Sequence, residues 1–202
     1  MRYFVTGIGT DVGKTVVSAL LVEALKADYW KPIQSGHPRD LETVRNLVSN
    51  PTSNFWPEQH LLKEPASPHQ AAHKEGINLD VESLQVPSHK NDLIVEGAGG
   101  VMVPINNKQY MLDLLKAYTD QTVVVIRLYL GCINHSLLTL DLLKRHQVTI
   151  KGIIFNGPSN PYSEAAILNY TEAPKLLHIP QVEQVSKEYI MKWSTQLNEQ
   201  WH

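Results

Sequence analysis

Three features of this sequence predict an α/β fold, with a mainly parallel sheet flanked by helices in a single domain over residues 1–202. Short apolar runs of strand length alternate with stretches whose apolar residues recur at helical spacing, the pattern of a buried parallel sheet. The first such run, Tyr3-Phe4-Val5, leads at once into Gly7-Ile8-Gly9-Thr10-Asp11-Val12-Gly13-Lys14-Thr15 and then a helical pattern. Finally, Gly7, Lys31, Glu96, Gly131 and Asn156 each stand at the end of an apolar run. Such residues gather beyond the carboxyl ends of the strands, where open α/β sheets bind ligands.

Size and charge agree with this reading. The 202 residues suit one domain with a sizeable core and are short for two ordinary ones. Net charge is −2, so no excess of positive charge points to nucleic acid or an anionic membrane. The single Cys132 allows no internal disulfide and suits a reducing, cytoplasmic setting. The N-terminal apolar run ends at Gly7, too short for a signal-peptide core, and Val123 to Ile126 is broken by Arg127, too short to span a bilayer.

Taken in order, Val17, Leu20, Leu21, Ala24 and Leu25 predict a helix from about Lys14 to Lys26. Tyr29-Trp30 reads as a short strand stopped by Lys31-Pro32. Leu41, Val44, Leu47 and Val48 place a second helix over Asp40–Val48, and residues 49–91 read as loops and short helices. Asp92 to Glu96 is a buried strand ending in an acid, followed by Gly97-Ala98-Gly99-Gly100. Val123 to Leu130 is a further strand, with Asn134 placed to cap the helix that carries Leu137, Leu138, Leu142 and Leu143. Ile150 to Phe155 is the next strand, ending at Asn156-Gly157. Ile190, Trp193, Leu197 and Trp201 share one face of a C-terminal helix.

The glycine-rich stretch predicts phosphate binding. Glycines let backbone N–H groups turn around an anion, and the helix that follows presents its unpaired first-turn N–H groups. One helix end contributes only about 0.3–1 kcal/mol to an exposed anion, so several N–H groups and Lys14 must act together on a triphosphate. Thr15 supplies a hydroxyl for magnesium. The spacing is unusual: Ile8 stands where a standard Walker A loop has its first glycine, and Gly7 comes one residue early.

Glu96, after an apolar strand, stands where phosphate-loop proteins carry the acid that completes the magnesium shell; the alternative is a solvated strand-end carboxylate. Asp40 reads equally as a metal ligand or a helix N-cap. Lys31, at a strand end beside the nucleotide, is either a solvated residue or the group that stabilises charge on a transferring phosphoryl.

The runs Gly7–Thr15, Trp30-Lys31-Pro32-Ile33-Gln34-Ser35-Gly36, Glu64-Pro65-Ala66-Ser67-Pro68-His69, Val95-Glu96-Gly97-Ala98-Gly99-Gly100 and Leu130-Gly131-Cys132-Ile133-Asn134-His135 together resemble the dethiobiotin synthetases, in that family's order. The resemblance reaches from residue 3 to about 157 and implies a P-loop NTPase-like fold. It also implies an ATP- and magnesium-dependent ligase of biotin biosynthesis. In that reaction 7,8-diaminononanoate captures CO2 as a carbamate, the carbamate takes the γ-phosphoryl of ATP, and the second amine closes the ureido ring.

Carried over by position, the resemblance makes Lys31 and Lys14 catalytic and Thr15, Asp40 and Glu96 the metal ligands. Asp11, Val12, Gly13, Lys14, Thr15, Val16, Asp40, Glu96, Gly97, Ala98 and Gly99 border ATP. Asn156 with Gly157 reads adenine, Ile179-Pro180 lines the base, and Glu183 reaches the ribose. Thr10, Ser35 and Gly99 contact the diamine. Gly131, Cys132, Ile133 and Asn134 begin a helix at a homodimer interface, where their N–H groups bind the carboxylate tail of the partner's substrate. Only four residues separate Ser35 from Asp40, fewer than the family usually has, which keeps Glu42 as an alternative ligand.

Other features are given bland readings. His69 and His73 sit four apart without a third ligand, Cys132 packs, and His135 orients its loop. The competing reading is a regulatory or partitioning ATPase of the deviant phosphate-loop class, acting through protein association. Those carry a signature lysine four residues before the second loop glycine, where this sequence has Gly9. A cobyrinate-type amidotransferase synthetase would need a further glutaminase domain, for which 202 residues leave no room.

Overall fold

The computed structural model describes residues 1–201. β1 (Arg2–Gly7), β2 (Asp28–Trp30), β3 (Ile33–Ser35), β4 (Phe55–Trp56), β5 (His60–Leu62), β6 (Leu93–Gly100), β7 (Gln121–Arg127), β8 (Ile150–Asn156) and β9 (Lys175–Ile179) are the strands. The helices are α1 (Lys14–Leu25), α2 (Asp40–Leu47), α3 (Pro68–Glu75), α4 (Met111–Tyr118), α5 (Cys132–Arg145), α6 (Pro161–Leu168) and α7 (Lys187–Trp201). Seven strands form one sheet in the order β4-β2-β6-β1-β7-β8-β9, and every pairing in it is parallel. β3 and β5 make a separate two-stranded parallel ribbon.

Alternation along the strands sorts the core into two layers, because successive side chains point to opposite faces. Tyr3, Val5, Ile94, Val123 and Val125 pack with Val17, Leu20 and Leu21 of α1 and Ile190, Leu197 and Trp201 of α7. Phe4, Leu93, Val95, Val124 and Ile126 pack with Leu114 of α4, Leu140 and Leu143 of α5 and Ile167 of α6. Each large apolar side chain so buried contributes about 1.5–3 kcal/mol, and this two-sided burial is what holds the strand ends in a common edge.

Several sequence expectations are corrected. The strand that carries Glu96 does not end there: β6 continues to Gly100, with Val5 paired to Glu96 and Gly7 to Gly100. The extension depends on missing side chains, since a Cβ on Gly97 would stand 2.8 Å from the Phe4 ring. β7 stops at Arg127, not Leu130, so Gly131 lies beyond its end on a short connection. Asn134 lies inside the first turn of α5 and does not cap it; Gly131, with φ of 100°, is the capping residue. Asp40 is likewise the first residue of α2, and Arg39 occupies its N-cap. Residues 49–91 include β4 and β5 as well as loops and helix. These strands are too short to display a period.

Candidate active site

The loop between β1 and α1 wraps the entrance of the helix as the sequence predicts. Gly13 precedes α1 with φ of 98°, a left-handed conformation that favours glycine. A Cβ there would meet the Asn156 side-chain nitrogen at 2.2 Å, so Gly13 also lets the end of β8 close on the loop. Asn156 Nδ2 donates to the Val12 carbonyl at 2.9 Å. Ile8, where a standard loop has its first glycine, packs against both apolar layers.

Thr15 stands at the start of α1, Lys31 after β2, Asp40 at the start of α2 and Glu96 on β6, and the four converge. Thr15 Oγ1 lies 3.1 Å from Asp40 Oδ1 and 3.2 Å from Glu96 Oε1. The Lys31 ammonium bridges the same two carboxylates, donating to Asp40 and, at 3.2 Å, to Glu96 Oε1. The second oxygen of Glu96 accepts from Ser18 Oγ at 2.7 Å and Tyr29 Oη at 3.0 Å. Glu96 is 1% exposed, so its oxygens are satisfied by this donor set rather than by water. Glu42, the alternative ligand, points instead to Arg39 at 3.1 Å on the exposed side of α2.

The electrostatics follow from burial. Burial works against the charge of Lys31, but Glu96 and Asp40 outweigh it and hold the ammonium above its ordinary pKa. Lys14 has the opposite balance. Burial, with a contribution from the Lys31 charge, lowers it to about 8 despite Glu96 and Asp40. Its Nζ donates to the Gly9 carbonyl at 2.9 Å, within its own loop. Burial and the Glu96 charge push Tyr29 well above the usual phenol range, so it serves Glu96 as a neutral donor.

A cleft of about 730 Å³ opens over this cluster, lined by Thr10, Asp11, Gly13, Lys14, Thr15, Val16, Lys31, Ser35, Asp40, Glu96, Ala98 and Gly99, among others. Ser35 Oγ is buried without a hydrogen-bond partner. An adjoining cleft of about 220 Å³ is lined by Val16, Arg127, Asn156, Gly157, Ile179 and Pro180. Val16 therefore belongs to both. Glu183 lies exposed between β9 and α7, outside the lining of either cleft. Gly131, Ile133 and Asn134 are exposed away from both, and the Cys132 side chain is buried. Another cleft, about 560 Å³ between α5 and the start of β9, lies at the opposite end of the sheet from these residues.

Thr15, Asp40 and Glu96 offer a hydroxyl and two carboxylates, the hard oxygen donors that magnesium takes, and a cationic group is already drawn between them. The donor set therefore fits the ion. Among the described residues no cluster of three or more His, Cys, Asp or Glu side chains forms a metal site. His69, read as bland, shares Nδ1 with Ser67 Oγ at 3.0 Å, and His135 Nδ1 meets Tyr129 Oη at 2.6 Å.

Sequence reasoning overlooked Ser18, Tyr29, Gln34 and Arg127. Ser18 and Tyr29 had one available signal, a polar group within an apolar stripe or strand. Gln34 accepts the Asp40 N–H at 3.3 Å and donates to the Gly36 carbonyl at 3.2 Å, fixing the turn into α2. Arg127 donates to the Asp11 carbonyl at 3.3 Å beside the second cleft.

A glycine-rich loop at a helix start, its lysine and threonine, and an acid on the neighbouring strand define a phosphate-loop nucleotide-binding protein of the parallel α/β class. A family model described as an AAA domain matches residues 1–189. The ATP-dependent dethiobiotin synthetase BioD of Cytophaga hutchinsonii is 45% identical over 203 aligned residues, covering 100% of this chain and 98% of the relative. That of Christiangramia forsetii is 46% identical, covering 98% of each. This chain belongs to the dethiobiotin synthetase family. Among solved structures, a ParA family ATPase from Chlorobium tepidum superimposes with a TM-score of 0.56 at 15% identity, covering 96% of this chain and 98% of that one. At that identity the likeness shows the fold alone, and the partitioning-ATPase reading is not favoured beside near-full-length synthetase relatives.

Proposed function

We propose that this chain closes the ureido ring of dethiobiotin from 7,8-diaminononanoate, CO2 and ATP. The observation that carries the reading is the meeting of Lys14, Lys31, Thr15, Asp40 and Glu96 at one cleft beside the unpartnered Ser35 hydroxyl. The reaction brings an anionic carbamate oxygen onto an anionic γ-phosphoryl group, so the site must supply positive charge where the two approach. Lys14 supplies it from the loop and Lys31 from the strand opposite. Thr15, Asp40 and Glu96 would hold magnesium, which would neutralise charge on the phosphate oxygens.

The loop N–H groups from Asp11 to Val16 hold the phosphates, while Ala98 and Gly99 let nucleotide and diamine approach the β6 backbone; Gly97 before them is buried against Phe4. Asn156 with Gly157 reads adenine; its carboxamide commits one N–H to Val12 and keeps the rest of its donor and acceptor capacity for the base. Ile179 and Pro180 lie along the base, and Glu183, outside the lining of the second cleft but next to Val182 at its rim, is the residue we assign to the ribose. Thr10, Ser35 and Gly99 contact the diamine. With the ends of the carbamoyl phosphate and second amine held together, attack at the carbonyl carbon expels phosphate and forms the ring.

Gly131 to Asn134 line neither cleft of their own subunit, which leaves them for a partner's substrate. Leu130 beside them is fully exposed and Ile133 half-exposed, an apolar surface suited to a second copy in a homodimer. Among the described residues no helix is long and apolar enough to cross a membrane. We place the activity in the cytoplasm, where a lone thiol such as Cys132 stays reduced.

The test is incubation of the purified chain with diaminononanoate, bicarbonate and Mg-ATP. Dethiobiotin and phosphate are expected in equal amounts, and absence of both overturns the reading.

A further inference from the structure

Behind the second cleft lies a charged cluster that none of the roles above uses. His178 of β9 contacts an oxygen at each ring nitrogen: Nδ1 is 2.7 Å from Glu164 Oε1, and Nε2 is 2.8 Å from the Gly157 carbonyl. The ring is therefore clamped between two oxygens, one at each nitrogen, and turning it over does not change this, because each nitrogen still meets an oxygen. Glu164, on α6 and buried, takes Lys175 Nζ on its other oxygen at 2.5 Å.

The His178 ring is joined to the nucleotide cleft through one residue. Gly157 N–H donates to the Ile179 carbonyl at 3.1 Å, while the Gly157 carbonyl is held by His178. Both backbone polar groups of the residue that follows Asn156 are thus fixed, to two successive residues of β9. Asn156 in turn holds the Val12 carbonyl of the phosphate loop. We propose that His178, clamped between Glu164 and the Gly157 carbonyl, is a positioning residue that sets the base-binding edge formed by Asn156, Gly157 and Ile179. It touches neither phosphates nor reacting atoms, so its contribution falls on recognition of the nucleoside and not on the phosphate loop or the chemical step. The inference rests on the reading that this edge binds adenine.

The test compares ADP with inorganic tripolyphosphate, which lacks the nucleoside, by calorimetry on the full chain. His178→Phe keeps a ring of similar shape and removes both nitrogen contacts; it is expected to weaken ADP about tenfold, the worth of one hydrogen bond, and to leave tripolyphosphate unchanged. Glu164→Gln should show the same selectivity with a smaller loss, and carries the comparison if His178→Phe does not fold. Lys175→Met, which removes a contact of Glu164 but none of Gly157, should leave ADP binding intact while lowering thermal stability. Unchanged ADP affinity in both His178→Phe and Glu164→Gln, or equal loss of both ligands, overturns the inference. Asn156→Ala tests the reading beneath it: selective loss of ADP supports an adenine edge there, whereas no loss or equal loss removes the edge and the inference together.

Discussion

Lys31 Nζ lies 3.2 Å from Glu96 Oε1, the same oxygen that accepts the Thr15 hydroxyl at 3.2 Å. One carboxylate oxygen therefore serves both the lysine read as catalytic and the hydroxyl read as a metal ligand. A lysine that neutralises the carboxylates in the free protein is placed to turn toward the substrate once another cation takes them over.

Replacing Lys31 tests that division. Lys31→Ala should lower kcat by about 10²–10³-fold, the usual cost of removing one preorganised charge from a transition state, with ATP affinity largely kept. Steady-state kinetics with ATP as the varied substrate decide it. Equal losses in kcat and ATP binding would make Lys31 a binding residue.

Lys14 carries the reverse expectation. Its ammonium is buried with a loop carbonyl as its direct partner, and burial holds its pKa to about 8, so the free protein keeps the charge at a cost. Lys14→Met should abolish nucleotide binding while raising the melting temperature of the nucleotide-free protein by roughly 2–4 °C, equivalent to about 1 kcal/mol. Thermal melts with and without Mg-ADP check both halves, and a variant less stable than the parent contradicts the argument.

Glu164 gives a pH dependence away from the phosphate loop. Burial raises its pKa, but hydrogen bonds from Lys175 and His178 outweigh this and hold it below the usual carboxylate range. A depressed folded pKa contributes stability above the unfolded value near 4.5, lost as pH falls through the folded pKa. Wild type should therefore lose part of its stability between about pH 5 and pH 3, and Glu164→Gln should lose less over that window. Urea unfolding at several pH values measures the difference; parallel curves would remove Glu164 as a cause.

At the surface, Leu130→Asp should separate the proposed dimer. A twofold interface meets each substitution twice, so about 1.5–3 kcal/mol per buried leucine weakens association by at least about 10²-fold. Sedimentation velocity reads the change in mass, and KM for the diamine should rise in the same protein. A variant that stays dimeric places the interface elsewhere.

The parts of this protein that were legible in sequence are those carried by local pattern. The helix after Thr15, the strands at Tyr3, Asp92 and Ile150 and the C-terminal helix each bury a stripe or run long enough to display its period. The missed elements are short or rely on distant partners: β3 and β5 have three residues each and exist because they pair with one another. The end of β6 was misplaced because Gly97 to Gly100 read as a loop in isolation and become strand only against Gly7.

By itself the sequence determined the class of fold, the phosphate loop and the residues able to do the chemistry, because glycine, lysine and carboxylate at strand ends carry their physical meaning locally. Tertiary structure decided which of them meet. Asp40 rather than Glu42 stands beside Thr15 because the turn fixed by Gln34 directs the first residue of α2 inward, while Glu42 follows Arg39 to the surface. Ser18 and Tyr29 became partners of Glu96, and His178 a partner of Gly157, through contacts between residues 78, 67 and 21 positions apart. No local period encodes such pairings; burying a charge does, since each buried polar group must find its partner wherever the fold brings one.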